Sequence, residues 1–238
     1  RNLGLDRDAQ AHVEKSLDQR RKLLGPEHPD TLTSMQVLAS IYASEGKYAE
    51  AETLGRETLD GRSRVRGKDN VSTIAMAGLL GRIYMLNGKP RAAADMLEEI
   101  LGTRIQRMEA DDSVPTDILF TLASSNLMLG RFPLAESQSR AALERQLKGS
   151  ANENLLTLGT RHNAAFACFL QGKYYEAATR FQKGIETSRS LYGPDHAMTL
   201  QLQGGLLSTS FFLESRDNAM AQQGLLLETS KLSLLFLV

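Results

Sequence analysis

The sequence has few of the features that mark several functional classes. It has one cysteine, Cys168, among 238 residues, so no disulfide can form within the chain, which fits a reducing compartment. Lysine plus arginine and aspartate plus glutamate each number 28, and a net charge of zero leaves no basic excess for nucleic acid. No run approaches the roughly 18 apolar residues of a membrane span. We therefore expect a cytoplasmic protein with neither a membrane span nor a nucleic-acid partner.

The short motifs of common catalytic and cofactor sites are missing as well. No HExxH, CxxC, GxGxxG or GxxxxGK[ST] pattern occurs. Cys168 and His162 are six residues apart, a helical spacing that turns the two side chains away from each other. We therefore expect Cys168 to be a small packed residue. We predict that the protein is not an enzyme and that it holds no cofactor and no metal.

What the sequence does contain is a repeat of 42 residues. The phrase GKYAEA at 46–51 returns as GKYYEA at 172–177, and 172 − 46 = 126 is three times 42. One position in every period is an alanine: Ala9, Ala51, Ala93, Ala135, Ala177 and Ala219. Another is aliphatic: Leu17, Leu59, Leu101, Leu143, Ile185 and Leu227. A fixed period of roughly 20–50 residues predicts an array of stacked repeats.

Each period has the pattern of two helices. The apolar positions of the first helix in residues 31–66 follow a spacing of three or four: Leu32, Met35, Leu38 and Tyr42. Gly46 ends this helix, and a second helix runs from Tyr48 to just before Gly67. Small residues recur on the first helices where a neighbouring helix must approach closely: Ala39, Gly81, Ala123 and Ala165. The glutamates of the second helices, Glu52 included, are expected on solvated outer faces.

The loops between repeats also recur, since GPEHPDT at 25–31 is matched by GPDHAMT at 193–199. A metal-binding or catalytic role could be considered for His28 and His196. However, the same loop position holds Asn70, Asp112 and Asn154 in the other repeats. Short polar side chains at such positions cap the free N–H groups of a helix. We therefore predict that the whole set caps helices.

These residues resemble a known family. The series Leu38-Ala39, Tyr42, Gly46, Tyr48 and Ala51 is similar to the tetratricopeptide repeat signature, and the 42-residue period resembles its kinesin light chain class. Related arrays also occur at the C-terminal end of nucleotide-binding immune-type receptors. The resemblance implies an all-α, right-handed superhelical solenoid of antiparallel helix pairs, forming a single array over residues 1–238. It would contain a half repeat at 4–24 and repeats at about 31–66, 73–108, 115–150, 157–192 and 199–238.

The resemblance further implies that the first helices line a concave face that binds a protein or peptide. The positions expected there are Arg82, Met85, Asp117, Phe120, Leu127, His162, Asn163, Phe166, Phe169 and Phe211. Large apolar side chains among them suit a peptide groove. All four phenylalanines could instead pack as core between neighbouring first helices. The sequence leaves both roles open for Phe120 and Phe166, and it favours the core role for Phe169 and Phe211.

The sequence departs from the family at one point. Kinesin light chains usually carry paired asparagines in each first helix, and these clamp the backbone of an extended peptide. The matching positions read Gln36-Val37, Gly78-Leu79, Phe120-Thr121, His162-Asn163 and Gly204-Gly205. Only Asn163 fits the pattern, so we do not expect such a clamp on an acidic peptide.

These observations favour a non-catalytic scaffold or adaptor. Two alternatives are a ligand-sensing or autoinhibitory segment of a larger nucleotide-binding receptor and a regulatory domain appended to an enzyme. The chain begins at Arg1, inside a repeat and without an initiator methionine, so we expect a piece of a longer protein. Residues 224–238 are apolar on most sides. We expect that further repeats cover them or that they mediate self-association.

Overall fold

A computed structural model describes residues 3–102, 115–149 and 153–215. Within these ranges every regular element is an α-helix, and the all-α prediction is confirmed. The helices are α1 (Leu3–Leu24), α2 (Pro29–Ser44), α3 (Tyr48–Arg66), α4 (Val71–Leu86), α5 (Pro90–Leu101), α6 (Thr116–Met128), α7 (Phe132–Gly149), α8 (Leu155–Leu170), α9 (Tyr174–Tyr192) and α10 (197–215). The predicted self-association segment, 224–238, lies outside the described residues.

The helices follow the period of the sequence. The second helices of the repeats, α3, α5, α7 and α9, begin at Tyr48, Pro90, Phe132 and Tyr174, each 42 residues after the last. The first helices are α2, α4, α6, α8 and α10. A glycine with φ between 70° and 80° follows four of them: Gly46, Gly88, Gly130 and Gly172. Since side chains other than glycine rarely adopt this φ, the glycines fix where these helices end.

The loop side chains cap the helices that follow them. In each case the side-chain atom accepts a hydrogen bond from the backbone N–H two residues further on. The donor–acceptor distances are 3.2 Å for His28, 3.0 Å for Asn70, 2.9 Å for Asn154 and 3.2 Å for His196. The predicted capping role is confirmed at these four positions, while Asp112 lies outside the described residues.

The chain forms two compact units, Arg1–Arg145 and Gln146–Val238. In the first unit each helix from α1 to α6 packs on the next, and the first helices also contact one another directly, α2 with α4 and α4 with α6. The small residues predicted at close approaches, Ala39, Gly81 and Ala123, are buried. A methyl group on Gly81 would lie 3.0 Å from Cδ1 of Leu97, closer than an ordinary contact, so the Leu97 side chain would have to shift to accommodate it.

In the second unit, α8 packs on α9. Its core consists of Leu158, Ala165, Cys168, Ala177, Phe181, Ile185 and Leu202. Cys168 is buried in this core, as the sequence predicts. The core residue Phe181 lies so close to the backbone of Gly205 in α10 that a Cβ atom there would overlap its ring.

The prediction of a solvated outer face is wrong for Glu52, which is only 7% exposed. Its carboxylate accepts hydrogen bonds from Nδ2 of Asn87 at 2.7 Å and from Nζ of Lys89 at 2.8 Å, and Arg56 lies 3.0 Å away. Because α3 also packs on α4, the loop that follows α4 covers this part of α3. The polar side chains of that loop make burial of the carboxylate possible.

Candidate partner-binding groove

The first helices of the unit Arg1–Arg145 form a groove made of two adjoining pockets. The first, which we call the apolar pocket, has a volume of 470 Å³ and a mainly apolar lining. It is lined by α2, α4 and α6 through Ser40, Ala43, Ser44, Leu79, Arg82, Ile83, Met85, Leu86, Phe120, Thr121 and Ser124. A volume of this size lies within the roughly 300–1,000 Å³ of typical ligand sites.

The second, which we call the polar pocket, has a volume of 520 Å³. It is lined by Gln36, Val37, Ser40, Ile41, Ser44, Ala75, Leu79, Arg82 and Asp117. Four residues line both pockets: Ser40, Ser44, Leu79 and Arg82. The two pockets therefore form one continuous surface, which we call the first-helix groove.

Helical spacing explains why these side chains share a surface. On α2 the lining includes Gln36, Ser40 and Ser44, each four residues after the last. On α4 it includes Leu79, Arg82 and Leu86, at spacings of three and four. Residues at these spacings lie on one face of a helix. Direct packing of α2 on α4 and of α4 on α6 then places the three faces side by side.

Four of the predicted site residues come together in the first-helix groove: Arg82, Met85, Asp117 and Phe120. Arg82 and Asp117 are exposed, whereas Phe120 is half-buried and lines the apolar pocket. Met85 is also half-buried and packs against the core of its unit. Leu127 is half-buried but does not line either pocket.

The remaining predicted residues lie in the unit Gln146–Val238, where several form a row of ring contacts. The ring of Phe166 stacks on those of His162 and Phe169, with centroid distances of 5.8 Å and 5.9 Å. The ring centroids of Phe169 and Phe212 are 5.4 Å apart. Phe166 and Phe169 are half-buried against the core of this unit. Phe211, by contrast, is 66% exposed.

Two polar neighbours on α8 are less accessible. The side chain of Asn163 is almost fully buried, and His162 is half-buried between the rings of Phe166 and Phe181. Burial lowers the pKa of His162 below its ordinary value, while a hydrogen bond with Asn163 acts in the opposite direction. A neutral imidazole is therefore the favoured form of His162 in the folded protein.

Some residues of these surfaces do not stand out in the sequence. Ala43, Ser44 and Leu86 line the apolar pocket near the C-terminal ends of α2 and α4. Continuing the spacing of three or four residues along each helix would have found them. Phe212 joins the aromatic row through Phe169 and Tyr174, whereas the repeat register had singled out its neighbour Phe211.

The groove offers binding groups rather than reactive ones. Its described lining combines apolar surface, serine and threonine hydroxyls, the amide of Gln36, one guanidinium and one carboxylate, and includes no histidine or cysteine. Among the helices of the described ranges, none is long and apolar enough to cross a membrane.

Comparison with known proteins identifies the repeat. One tetratricopeptide repeat model matches residues 1–63 and 38–106, and a second matches residues 157–197. No curated protein matches the sequence.

Solved structures give the same picture of the fold. BtubC (BKLC) from P. vanneervenii is similar with a TM-score of 0.68 at 21% identity, over 91% of this chain and 87% of that one. A Podosopora anserina protein described as a kinesin light chain with nearly identical TPR-like repeats has a TM-score of 0.66 at 22% sequence identity. The match covers 82% of this chain and 92% of that one. A tetratricopeptide repeat protein from Parabacteroides merdae has a TM-score of 0.61 at 19% sequence identity. The match covers 91% of this chain and 72% of that one. At these identities the likeness establishes the fold alone.

Proposed function

Since the chain belongs to the tetratricopeptide repeat family, we propose that it is a non-catalytic interaction module that binds a protein partner in the first-helix groove. Repeat proteins of this kind generally present extended surfaces to protein partners. In this proposal Met85 and Phe120 provide apolar contacts, and Arg82 and Asp117 provide charges in the polar pocket. The module would act as a scaffold or adaptor.

The observation that carries the proposal is the apolar pocket itself. Leu86 is 55% exposed beside Met85 and Phe120, and together they form apolar surface on two neighbouring helices, α4 and α6. Contiguous exposed apolar surface with polar groups around it is typical of interaction sites, whereas single exposed apolar residues are ordinary. Burial of such surface by a partner would supply most of the binding free energy.

We propose a second contact surface within the unit Gln146–Val238, at the exposed end of the aromatic row. Phe211 is accessible there, and its ring contacts Phe212 at 5.9 Å. Aromatic side chains at interfaces provide large apolar contact areas with few rotatable bonds. His162, Phe166 and Phe169 would support this surface from beneath, since they are half-buried.

Affinity capture from lysate with a pair of matched variants tests the groove. Leu86→Ser alters an exposed leucine in the last turn of α4, which lines the apolar pocket. Leu23→Ser alters an exposed leucine in the last turn of α1, which does not line it. We expect quantitative proteomics to show specific partners lost with Leu86→Ser and with Phe120→Ala, but retained with Leu23→Ser. Equal recovery with all proteins would remove the groove from the proposal.

A further inference from the structure

The helices that line the groove carry very few charged residues. Arg82 is the only charged residue of α4, and Asp117 is the only one of α6. The single charge on α2, Asp30, lies in its first turn and does not line either pocket. The electrostatic character of the groove therefore depends on the two side chains Arg82 and Asp117, which both line the polar pocket.

Neither of these charges is paired with another side chain among the residues that the structure describes. Over residues 3–102, 115–149 and 153–215, the side chains of Arg82 and Asp117 have no ion pair and no hydrogen bond. Some arginines of this unit are paired, for example Arg21 with Glu57 and Arg64 with Glu27. A partner that covered the groove without opposite charges would leave both groups desolvated and unpaired, which is costly.

The groove is poor in groups that could hold an extended backbone. An extended peptide exposes N–H and C=O groups along its length, and these must find partners when they are buried. The hydroxyls of Ser44 and Ser124 already donate to carbonyl oxygens of their own helices, each at 2.8 Å. At the pair positions of α2, α4 and α6 only Gln36 carries an amide side chain, and Val37, Leu79 and Thr121 carry none. A helical segment, whose backbone groups are satisfied internally, suits this lining better.

We propose that the first-helix groove takes an amphipathic helix of a partner protein, with an acidic residue facing Arg82 and a basic residue facing Asp117. Apolar residues at positions i, i+3 or i+4, and i+7 of that helix occupy the apolar pocket. The two opposite charges set the direction in which the helix lies, because reversal would bring like charges together. This inference rests on the proposed function, since it concerns the same groove.

Selection from a phage-displayed library of random peptides tests the proposal. The peptides are about 16 residues long, or roughly four helical turns. One selection uses the wild-type protein, and a parallel one uses the charge-exchanged double variant Arg82→Glu with Asp117→Lys, which has the same net charge. We expect peptides enriched on the wild type to show apolar residues at the helical spacing, one acidic and one basic position. Peptides enriched on the double variant should carry a basic residue at the position that is acidic in the first set, and an acidic residue at the position that is basic.

Fluorescence anisotropy with a synthetic wild-type-selected peptide then measures the individual contacts. We expect Arg82→Glu to weaken its binding about tenfold or more, and a peptide with lysine in place of the acidic residue to restore it. A proline in the middle of the peptide should abolish binding, because it breaks the helix. Circular dichroism verifies that each protein variant is folded. The neutral variants Arg82→Gln and Asp117→Asn provide a second comparison, which alters the charge without reversing it.

The outcomes separate this inference from the proposed function. Enriched peptides that lose binding with Leu86→Ser, but show an alternating or proline-rich pattern, would overturn the helical ligand and leave the groove in place. Enrichment unaffected by the charge exchange would overturn the roles of Arg82 and Asp117. If no peptide is enriched, or if enriched peptides bind Leu86→Ser equally well, the proposed function of the groove fails as well.

Discussion

The carboxylate of Glu52 in α3 accepts a hydrogen bond of 2.8 Å from Nζ of Lys89, which lies just before α5. Asn87 donates a second hydrogen bond of 2.7 Å to the same carboxylate. Arg56 connects this cluster to α4, because its Nε donates a hydrogen bond of 2.7 Å to the hydroxyl of Tyr84. One buried acidic group therefore joins α3 to the loop between α4 and α5.

Replacement of this group should lower stability in a pH-dependent way. We expect Glu52→Gln to reduce the free energy of unfolding at pH 7 by about 1–3 kcal/mol, since it weakens buried hydrogen bonds to a charged group. Burial alone would raise the pKa of Glu52, but the hydrogen bonds from Lys89 and Asn87 and the nearby positive charges lower it below its ordinary value of 4.5. A lowered pKa means that the carboxylate stabilises the fold above about pH 4.5, and that this contribution is lost as the pH falls through the folded-state pKa.

Urea denaturation of both proteins at pH 7 and at acidic pH measures this difference. The difference in the free energy of unfolding between the wild type and Glu52→Gln should become smaller as the pH falls. Glu57→Gln serves as the control, because Glu57 lies on the same helix but forms an exposed ion pair with Arg21. It should change stability by about 1 kcal/mol or less. A gap for Glu52→Gln that is independent of pH would show that its charge contributes nothing.

Two adjacent glycines in α10 should respond to alanine in opposite ways. A Cβ atom on Gly205 would overlap the ring of Phe181, which is fully buried, so Gly205→Ala should destabilise the protein by about 1–3 kcal/mol. A Cβ atom on Gly204 would meet nothing within 4 Å. Gly204→Ala should therefore stabilise by up to about 1 kcal/mol through helix propensity. Thermal unfolding shows whether each variant has a lower or a higher melting temperature than the wild type. Equal changes in melting temperature for the two variants would contradict the close packing of α10 on α9.

The sequence predicts the helices and their ends because these depend on local spacing. Glycines with positive φ and polar loop side chains act on their own segment, and they recur every 42 residues, as Gly46 and Asn70 show. The environment of Glu52 was not predictable in the same way, because Asn87 and Lys89 are 35 and 37 residues away. The repeat positions of Arg82 and Phe120 predict that both lie on first helices, but they do not predict which side chains line a pocket together. That depends on how α2, α4 and α6 pack together.

The loop histidines should be replaceable by asparagine but not by alanine. Nδ1 of His196 accepts a hydrogen bond of 3.2 Å from the backbone N–H of Met198, as Asn154 does from Leu156 at 2.9 Å. We expect His196→Asn to keep the melting temperature close to that of the wild type. His196→Ala should cost about 0.5–2 kcal/mol, because the helix loses its cap.

Nδ1 of His28 also caps a helix. We therefore expect His28→Asn to keep the melting temperature close to that of the wild type and His28→Ala to lower it. A chelator such as EDTA should leave the melting temperatures unchanged. A loss of stability with both asparagine and alanine, together with sensitivity to the chelator, would instead support a metal at these loops.

His162 should make the fold sensitive to mildly acidic pH. Burial holds its pKa below the ordinary value of 6.5, so the unfolded chain takes up a proton more readily than the folded one. Stability is therefore full above about pH 6.5 and is lost as the pH falls from there toward the folded-state pKa. The loss is limited to about 1.4 kcal/mol per pH unit for a single proton. The loss of this contribution begins near pH 6.5, whereas that of Glu52 begins only near pH 4.5, so the His162 contribution starts to fall first.

Urea unfolding between pH 8 and pH 5 measures this dependence. His162→Gln should flatten the curve, because it removes the titrating ring that stacks on Phe166 at 5.8 Å. His12→Gln leaves that ring in place and should keep the slope of the wild type. If His162→Gln and the wild type lose stability in parallel as the pH falls, another group must take up the proton. The burial of His162 would then not limit its protonation.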